Sequence, residues 1–279
     1  MSSDAVAKSP MEGRSLVTRE SLKRELRELG VKEGMTLLVH SSLKSLGWVC
    51  GGAQVVIEAM QDVLTVEGTL ILPTHSTDLT DPGGWCNPPV PDSWVEPVRE
   101  SLPAFDPCRT VTRCMGAIPE LFRSYPDVLR SYHPHHSFAA WGRHAEFVTN
   151  DHRLKSSMGE HSPLARLYDL EGYVLLLGVG YDSNSSFHLS EYRVPTPLVG
   201  KTGAPVFVEG KRQWVWYEDL ELLESDDYFV PCGKAMEEVM EVKQGKLGDA
   251  DSKLFAQKPA VDFATDWLAQ LDVYNQAKA

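Results

Sequence analysis

No stretch of this 279-residue chain approaches the roughly 20 apolar residues that a membrane-spanning helix needs. The first ten residues, Met1-Ser-Ser-Asp-Ala-Val-Ala-Lys-Ser-Pro10, contain no apolar core of the signal-peptide kind. Together these absences predict a cytoplasmic protein, with residues 1–14 as a flexible leader and 15–279 as one domain. Cysteine is sparse and unpaired in sequence. Cys50, Cys86, Cys108, Cys114 and Cys232 are an odd number with no C-x-x-C, which speaks against a disulfide framework and against structural zinc. Reduced thiols suit a cytosolic enzyme. Nine histidines are present, three of them in His133-Pro-His135-His136, yet no H-E-x-x-H or comparable ligand spacing occurs, so no metal is expected. Basic residues are also in deficit. With 27 Lys and Arg against 39 Asp and Glu the net charge is −12, which disfavours nucleic acid, because phosphates need a basic face. A cationic small molecule fits that balance if the acids converge on a cleft, although surplus acid also simply keeps a protein soluble. Two signatures are missing as well: no G-x-G-x-x-G follows a strand, and no G-x-S-x-G elbow is present. Gly178-Val-Gly180 lacks the nucleophile, since Ser183 falls in the next turn.

What remains is an ordinary globular composition, 42% hydrophobic and 24% charged, with no repeat, low-complexity tract or domain boundary. Thr18 to Leu29 reads as an amphipathic helix, capped by Thr18, striped by Leu22, Leu26 and Leu29, and stopped by Gly30. Met35 to His40 reads as a strand, Ala53 to Leu64 as a helix, and Glu67 to His75 as a turn and strand. Helix alternating with strand is the rhythm of an α/β layer fold with parallel neighbours. From Ser76 to Cys114 periodicity is lost among proline, glycine, tryptophan and aspartate, so a long functional loop is expected. Beyond it the sequence suggests a short helix over 116–124, a strand or turn over 136–142, and a hairpin over Val206–Tyr217 around Glu209-Gly210-Lys211. Acids then gather at Glu218, Asp219, Glu221, Glu224, Asp226 and Asp227, ahead of helices over Cys232–Val242 and Val261–Leu271.

Three strand ends carry polar turns: His40–Gly47, Thr74–Asp78 and Asp182–Glu191. In a parallel sheet such ends converge on one edge, where α/β proteins place their chemistry. His40-Ser41-Ser42-Leu43-Lys44-Ser45 offers hydroxyls, backbone N–H groups and a cation, a set able to hold phosphate oxygens; it also reads as a plain serine-rich loop. The apolar run Val174–Leu177 breaks at Gly178 and Gly180, turns through Asp182 to Ser186, and delivers His188 and Glu191 onto one helical face. A histidine there, with a carboxylate three residues on, is a base with a group to orient it, or else the packed histidine of a capped helix.

Five blocks in order, Leu37–Ser45, Gly68–His75, His133–Gly142, His161–Arg166 and Leu175–Glu191, resemble the aminoglycoside 3-N-acetyltransferase family. The resemblance runs from about Thr18 to Phe229, and more weakly to the C-terminal helices. It implies a single three-layer α/β/α domain with a central mixed, mainly parallel sheet and a cleft for acetyl-CoA, without a metal. It also implies transfer of the acetyl group to the 3-amino group of a deoxystreptamine ring, and hence antibiotic resistance, by a monomer or homodimer. By position, Ser41, Ser42 and Lys44 would meet the coenzyme's phosphates, with His40, Leu43 and Ser45 in the same turn. Ser137, Phe138, Ala139 and Ala140 would line the pantetheine channel, and Thr74 and His75 would lie at the thioester. His188 matches the catalytic histidine, and Asp219 and Glu221 match two family carboxylates. Asp78, Asp81, Tyr181, Asp182, Asn184 and Glu224 join them as the expected drug-binding wall.

The chemistry agrees with this implication. A protonated amine cannot attack a thioester until it loses a proton, and an imidazole of ordinary pKa about 6.5 can accept one if a carboxylate holds the imidazolium. Glu221, Asp219 and Glu191 are the choices for that carboxylate. Backbone N–H groups or the Thr74 hydroxyl would serve the oxyanion. No cysteine or serine is visibly activated, so direct transfer through a ternary complex is expected. The alternatives are an acyl-CoA N-acyltransferase of the same fold acting on a different amine, a thioester or amide hydrolase, and a non-catalytic coenzyme binder.

Overall fold

Thr18 starts the first helix as expected: its hydroxyl accepts from the Ser21 N–H while Ser21 reaches back to the Thr18 N–H, a reciprocal capping box. Residues 13–223 and 225–271 are described in the computed structural model, without the side chains of 225 and 226. The chain runs through β1 (Leu16–Val17), α1 (Arg19–Leu29), β2 (Thr36–Ser41), β3 (Trp48–Val49), α2 (Gly52–Leu64) and β4 (Thr69–Pro73). It continues with α3 (Asp92–Ser101), α4 (Ala117–Phe122), β5 (Leu129–Arg130), β6 (Phe138–Gly142), α5 (Ala145–Thr149), α6 (Pro163–Asp169), β7 (Tyr173–Leu177) and α7 (Ser186–Arg193). The hairpin β8 (Val199–Val208) and β9 (Lys211–Leu220) precedes α8 (Ser225–Glu237), β10 (Lys243–Leu247), β11 (Ala250–Ala256) and α9 (Gln257–Leu268).

Seven strands form the central sheet in the order β10-β11-β7-β2-β4-β6-β5. Its period-two side chains sort into two cores. Leu37, Val39, Leu70, Leu72, Leu175 and Leu177 face α1, α2 and α4, whereas Leu38, Ile71, Val174, Leu176 and Phe255 face α7, α8 and α9. The sheet is mixed, as expected, but its parallel part is confined to β7-β2-β4, and the outer pairings are antiparallel. The expectation of a mainly parallel sheet is corrected by the hairpin connections at both edges. One of those hairpins, β10–β11, turns on Gly248-Asp249 between paired Leu247 and Ala250, a two-residue turn signal that the hydrophobic pattern alone passes over.

The Ser76–Cys114 segment is also more regular than expected. Asp92 to Ser101 is helical, and the carboxylate of Asp81 accepts from Nε and Nη2 of Arg99 at 2.7 and 2.9 Å. The predicted 206–217 hairpin extends to 199–220, and the last two helices begin earlier than the apolar pattern suggests, at Ser225 and Gln257. Among the described residues no helix is long and apolar enough to cross a membrane.

Candidate active site

The parallel strands β2, β4 and β7 end on one edge at Ser41, Pro73 and Leu177, and the three polar turns leave from there. The first turn folds back onto the end of β7. Ser42 N donates to Leu177 O at 2.9 Å, and the Ser45 hydroxyl bonds Ser42 Oγ at 2.9 Å and Gly178 O at 3.1 Å. Gly178, at φ +67°, leaves room for this approach, because a Cβ there would lie 2.6 Å from Ser45 Cβ. A cleft of about 560 Å³ runs along the turn, between Ser41–Lys44 and Cys114–Ile118, and reaches Gly52 at the N-terminus of α2. Lys44 is exposed and makes no ion pair with the described residues, and Ser41 Oγ has no partner. A cation, the unpartnered Ser41 hydroxyl and a helix N-terminus together fit an anionic phosphate ester.

The third turn builds the reactive group. Asn184 Oδ1 accepts the Ser186 N–H at 3.2 Å in the turn that leads into α7, and the helix sets His188 and Glu191 one turn apart on one face. His188 Nδ1 lies 2.5 Å from Glu191 Oε2, and Glu191 Oε1 accepts the Leu223 N–H at 2.8 Å. Glu191 is fully buried, so its carboxylate is held rigidly, and the His188 ring stands edge-on to Phe229. With Nδ1 engaged, Nε2 is the nitrogen left for a ligand.

His188 opens on a second cavity of about 330 Å³, lined also by His40, His75 and Asp182. Burial, and secondarily the charge of His188, pushes His40 and His75 down to about 3, so both imidazoles are neutral. Neither Nε2 has a partner among the described residues. The two cavities share Ser41, Cys114 and Met115, so one groove leads from the serine turn to His188.

Other predicted site residues are placed elsewhere. Asp219 accepts the Tyr192 hydroxyl at 2.5 Å and the Ser157 N–H at 3.5 Å, and burial raises its pKa. Glu221 is exposed, with Oε1 against Gly200. Neither carboxylate touches His188; Glu191 does. Thr74 is fully buried, its hydroxyl 3.2 Å from Ser137 Oγ, so it is not free to meet an oxyanion. Ser137, Phe138, Ala139 and Ala140 are wholly enclosed in the sheet, and the cavities described above do not reach them. Their small and apolar character serves packing: Phe138 and Ala140 belong to one core, Ala139 to the other. Tyr181 packs on Phe187 and donates its hydroxyl to Glu237 at 2.8 Å, so it is a core residue. Asn184 is buried, its Oδ1 held by the Ser186 N–H. Asp78 pairs with Arg113 at 3.2 Å on a separate cavity of about 410 Å³. Glu224 lies outside the described residues.

Three residues went unnoticed in the sequence. Cys114 and Met115 form the wall common to both cavities. Arg130 donates to the backbone oxygens of Thr74 (2.7 Å), Thr110 (2.5 Å) and Pro107 (3.2 Å), tying β5 to the strand end that carries His75. Burial lowers its pKa to about 10. Its arginine after an apolar pair gave no signal, because its partners are backbone atoms distant in sequence. No group of three or more His, Cys, Asp and Glu side chains among the described residues is placed to hold a metal ion.

Residues 38–269 match the family described as aminoglycoside 3-N-acetyltransferase. The chain belongs to that family. A prophage-derived aminoglycoside N(3')-acetyltransferase-like protein of Bacillus subtilis, YokD, is 50% identical over 94% of this chain and 96% of its own. Aminoglycoside N(3)-acetyltransferase III of Pseudomonas aeruginosa is 34% identical over 90% and 93%. The crystal structure of YokD superposes with a TM-score of 0.90 over 92% of this chain and 95% of that one. The AAC-IIIb binary complex with CoASH gives 0.80 at 31% identity, covering 91% and 97%. AAC-VIa bound to sisomicin also gives 0.80, at 28% identity, covering 90% and 97%.

Proposed function

We propose that this chain transfers the acetyl group of acetyl-CoA to the 3-amino group of the deoxystreptamine ring of an aminoglycoside in the cytoplasm. The observation that carries this reading is the His188–Glu191 pair at the inner end of a groove whose outer end suits phosphate. Membership of the family, a relative solved with CoASH and another with sisomicin support it.

In this reading the coenzyme lies along Ser41–Lys44 and its thioester reaches the shared wall. The substrate amine arrives from the His188 side, where Asp182 is exposed on the cavity rim. His188 Nε2 accepts the proton as the amine attacks the carbonyl, and Glu191 stabilises the imidazolium through Nδ1–H. Collapse of the tetrahedral adduct expels the coenzyme thiolate. A neutral imidazole can donate to a developing oxyanion, and His40 and His75 carry unpartnered nitrogens on the same cavity, unlike Thr74. The amine attacks directly, without an acyl-enzyme.

The test is a thiol-release assay with acetyl-CoA and a panel of deoxystreptamine antibiotics. Product mass spectra should show one acetyl group on the 3-amine. Acetate release without an acceptor, or no acetylation of any member of the panel, overturns the reading.

A further inference from the structure

A thiol stands at the seam between the two cavities. Cys114 is exposed and belongs to both linings, together with Ser41 and Met115. If the coenzyme occupies the serine-turn side and the amine the His188 side, the thioester sulfur must come to this common wall. On that wall Ser41 Oγ has no partner among the described residues, and next to it in the His188 cavity His40 Nε2, on a residue only 5% exposed, has none either. Buried polar atoms left unpaired by the protein call for a polar ligand, and the acyl end of the coenzyme supplies one.

We propose that Cys114 is a site of mixed-disulfide formation with coenzyme A, through which the oxidised coenzyme closes the active site. This rests on the coenzyme reading of the cleft. The Cys114 thiolate attacks one sulfur of coenzyme A disulfide. The bond between the two coenzyme sulfurs breaks, a new S–S bond joins Cys114 to one of them, and the other leaves as thiolate and takes up the proton that Cys114 released. One disulfide replaces another, so no further oxidant is needed. The attached coenzyme fills the seam and bars the amine from any acetyl donor, so activity follows the ratio of coenzyme disulfide to thiol.

The experiment incubates the full chain with coenzyme A disulfide and follows intact mass, peptide mapping and residual activity. One adduct is expected, at Cys114, forming at least about 10-fold faster than at the exposed Cys50, Cys86 and Cys108. Saturating acetyl-CoA should slow it, activity should fall in proportion, and dithiothreitol should restore both. Glutathione disulfide, which lacks the nucleotide, should show no such preference. Cys114→Ser should lose the adduct and keep its own rate in the presence of the oxidised coenzyme. Equal labelling of the four thiols, no protection by acetyl-CoA, or an adduct that leaves turnover intact overturns the proposal. Calorimetry with coenzyme A separates the two levels. Binding that competes with acetyl-CoA, without preferential labelling, sinks this inference alone; no binding sinks the cleft assignment and this inference with it.

Discussion

Two groups of histidines lie close together in this fold and are held in opposite ways. At His133 and His135 in the turn before β6, and at their neighbour His152, ring nitrogens are consumed by the protein, while His136 in the same turn keeps Nδ1 unpartnered among the described residues. His133 Nδ1 accepts the N–H groups of His135 and His136 at 3.2 and 3.0 Å, and its Nε2–H points to Leu154 O at 3.3 Å. His135 receives the Tyr217 hydroxyl on Nδ1 and donates to Leu79 O. His152 receives the Ser131 hydroxyl and donates to Ser157 O, both at 2.8 Å. Around the cavity the reverse holds: His40 and His75 keep Nε2 unpartnered, and His188 spends Nδ1 on Glu191. An imidazole with both nitrogens occupied fastens the chain, whereas one with a nitrogen to spare is available for chemistry where it also lines the cavity, as His40, His75 and His188 do and His136 does not. Sequence offers nine histidines; only the partner count taken together with the cavity lining separates the two kinds.

The largest test of this division is acid. Burial is the first cause that lowers His40 and His75 to about 3, His135 and His152 to about 4, and His133 and His136 well below the usual value. In the unfolded chain these side chains titrate near 6.5. Between about pH 6.5 and the folded values near 3 to 4, the unfolded state therefore binds more protons, and stability falls as pH falls, by up to about 1.4 kcal/mol per pH unit for each group. Six such groups would remove several kcal/mol by about pH 5.5, comparable with a total stability of about 5–15 kcal/mol. Circular dichroism should show cooperative unfolding near pH 5. A protein still native at pH 4 would refute the neutral, buried assignment.

On the cavity side the largest effect belongs to His188. His188→Ala should lower kcat by about 10²–10⁴-fold with acetyl-CoA affinity retained, as read by steady-state kinetics and coenzyme titration. Glu191→Gln keeps the shape but weakens support for the imidazolium, so a loss of about 10²-fold in kcat is expected. Unchanged turnover in either variant would move the base elsewhere.

How far sequence reaches is visible in this same site. The i, i+3 spacing of His188 and Glu191 after a glycine-broken strand was legible because both residues sit on one element, where helix geometry fixes their separation. Whether Glu191, Asp219 or Glu221 stands beside His188 was not legible, since the latter two arrive on the β8–β9 hairpin, whose docking depends on side chains far away in sequence. Asp219 is drawn to Tyr192, on the same helix as His188 but one residue beyond Glu191. The five sequence blocks identified the family, and yet Ser137–Ala140, read from it as channel lining, are enclosed in the sheet. Strand β6 is buried on both faces, which no local pattern of four residues distinguishes from a channel wall. Similarly, α3 was hidden by prolines and exposed tryptophan that mask its period.

Smaller effects sharpen the contrast between fastening and chemistry. His133→Leu leaves the His135 and His136 N–H groups without their acceptor, at a cost of about 1–3 kcal/mol each, read as a lower denaturant midpoint. Turnover per folded molecule should change little, because His133 lines neither cavity of the groove. Asp219 gives a signed test. Its folded pKa is raised by burial, so ionisation disfavours the folded state above the unfolded value near 3.9, and that penalty fades as pH falls below it. Asp219→Asn keeps an acceptor for Tyr192 and removes the charge. Its melting temperature should gain on that of the parent as pH rises through the carboxylate range, and a constant difference would count against this account.

The smallest effect is expected at Glu221, one of the three carboxylates that the sequence left open as support for His188. It is exposed and turned against Gly200. Glu221→Gln should leave kcat within about 3-fold of the parent, since an exposed charge acts only through the solvent-screened field. Any change should appear in KM for the cationic amine, through lost long-range attraction, and should shrink as ionic strength rises and the screening length falls below about 10 Å. A kcat loss approaching that of Glu191→Gln, insensitive to salt, would mean that the hairpin closes onto His188 during turnover. The two carboxylates would then share the work that the resting geometry assigns to one.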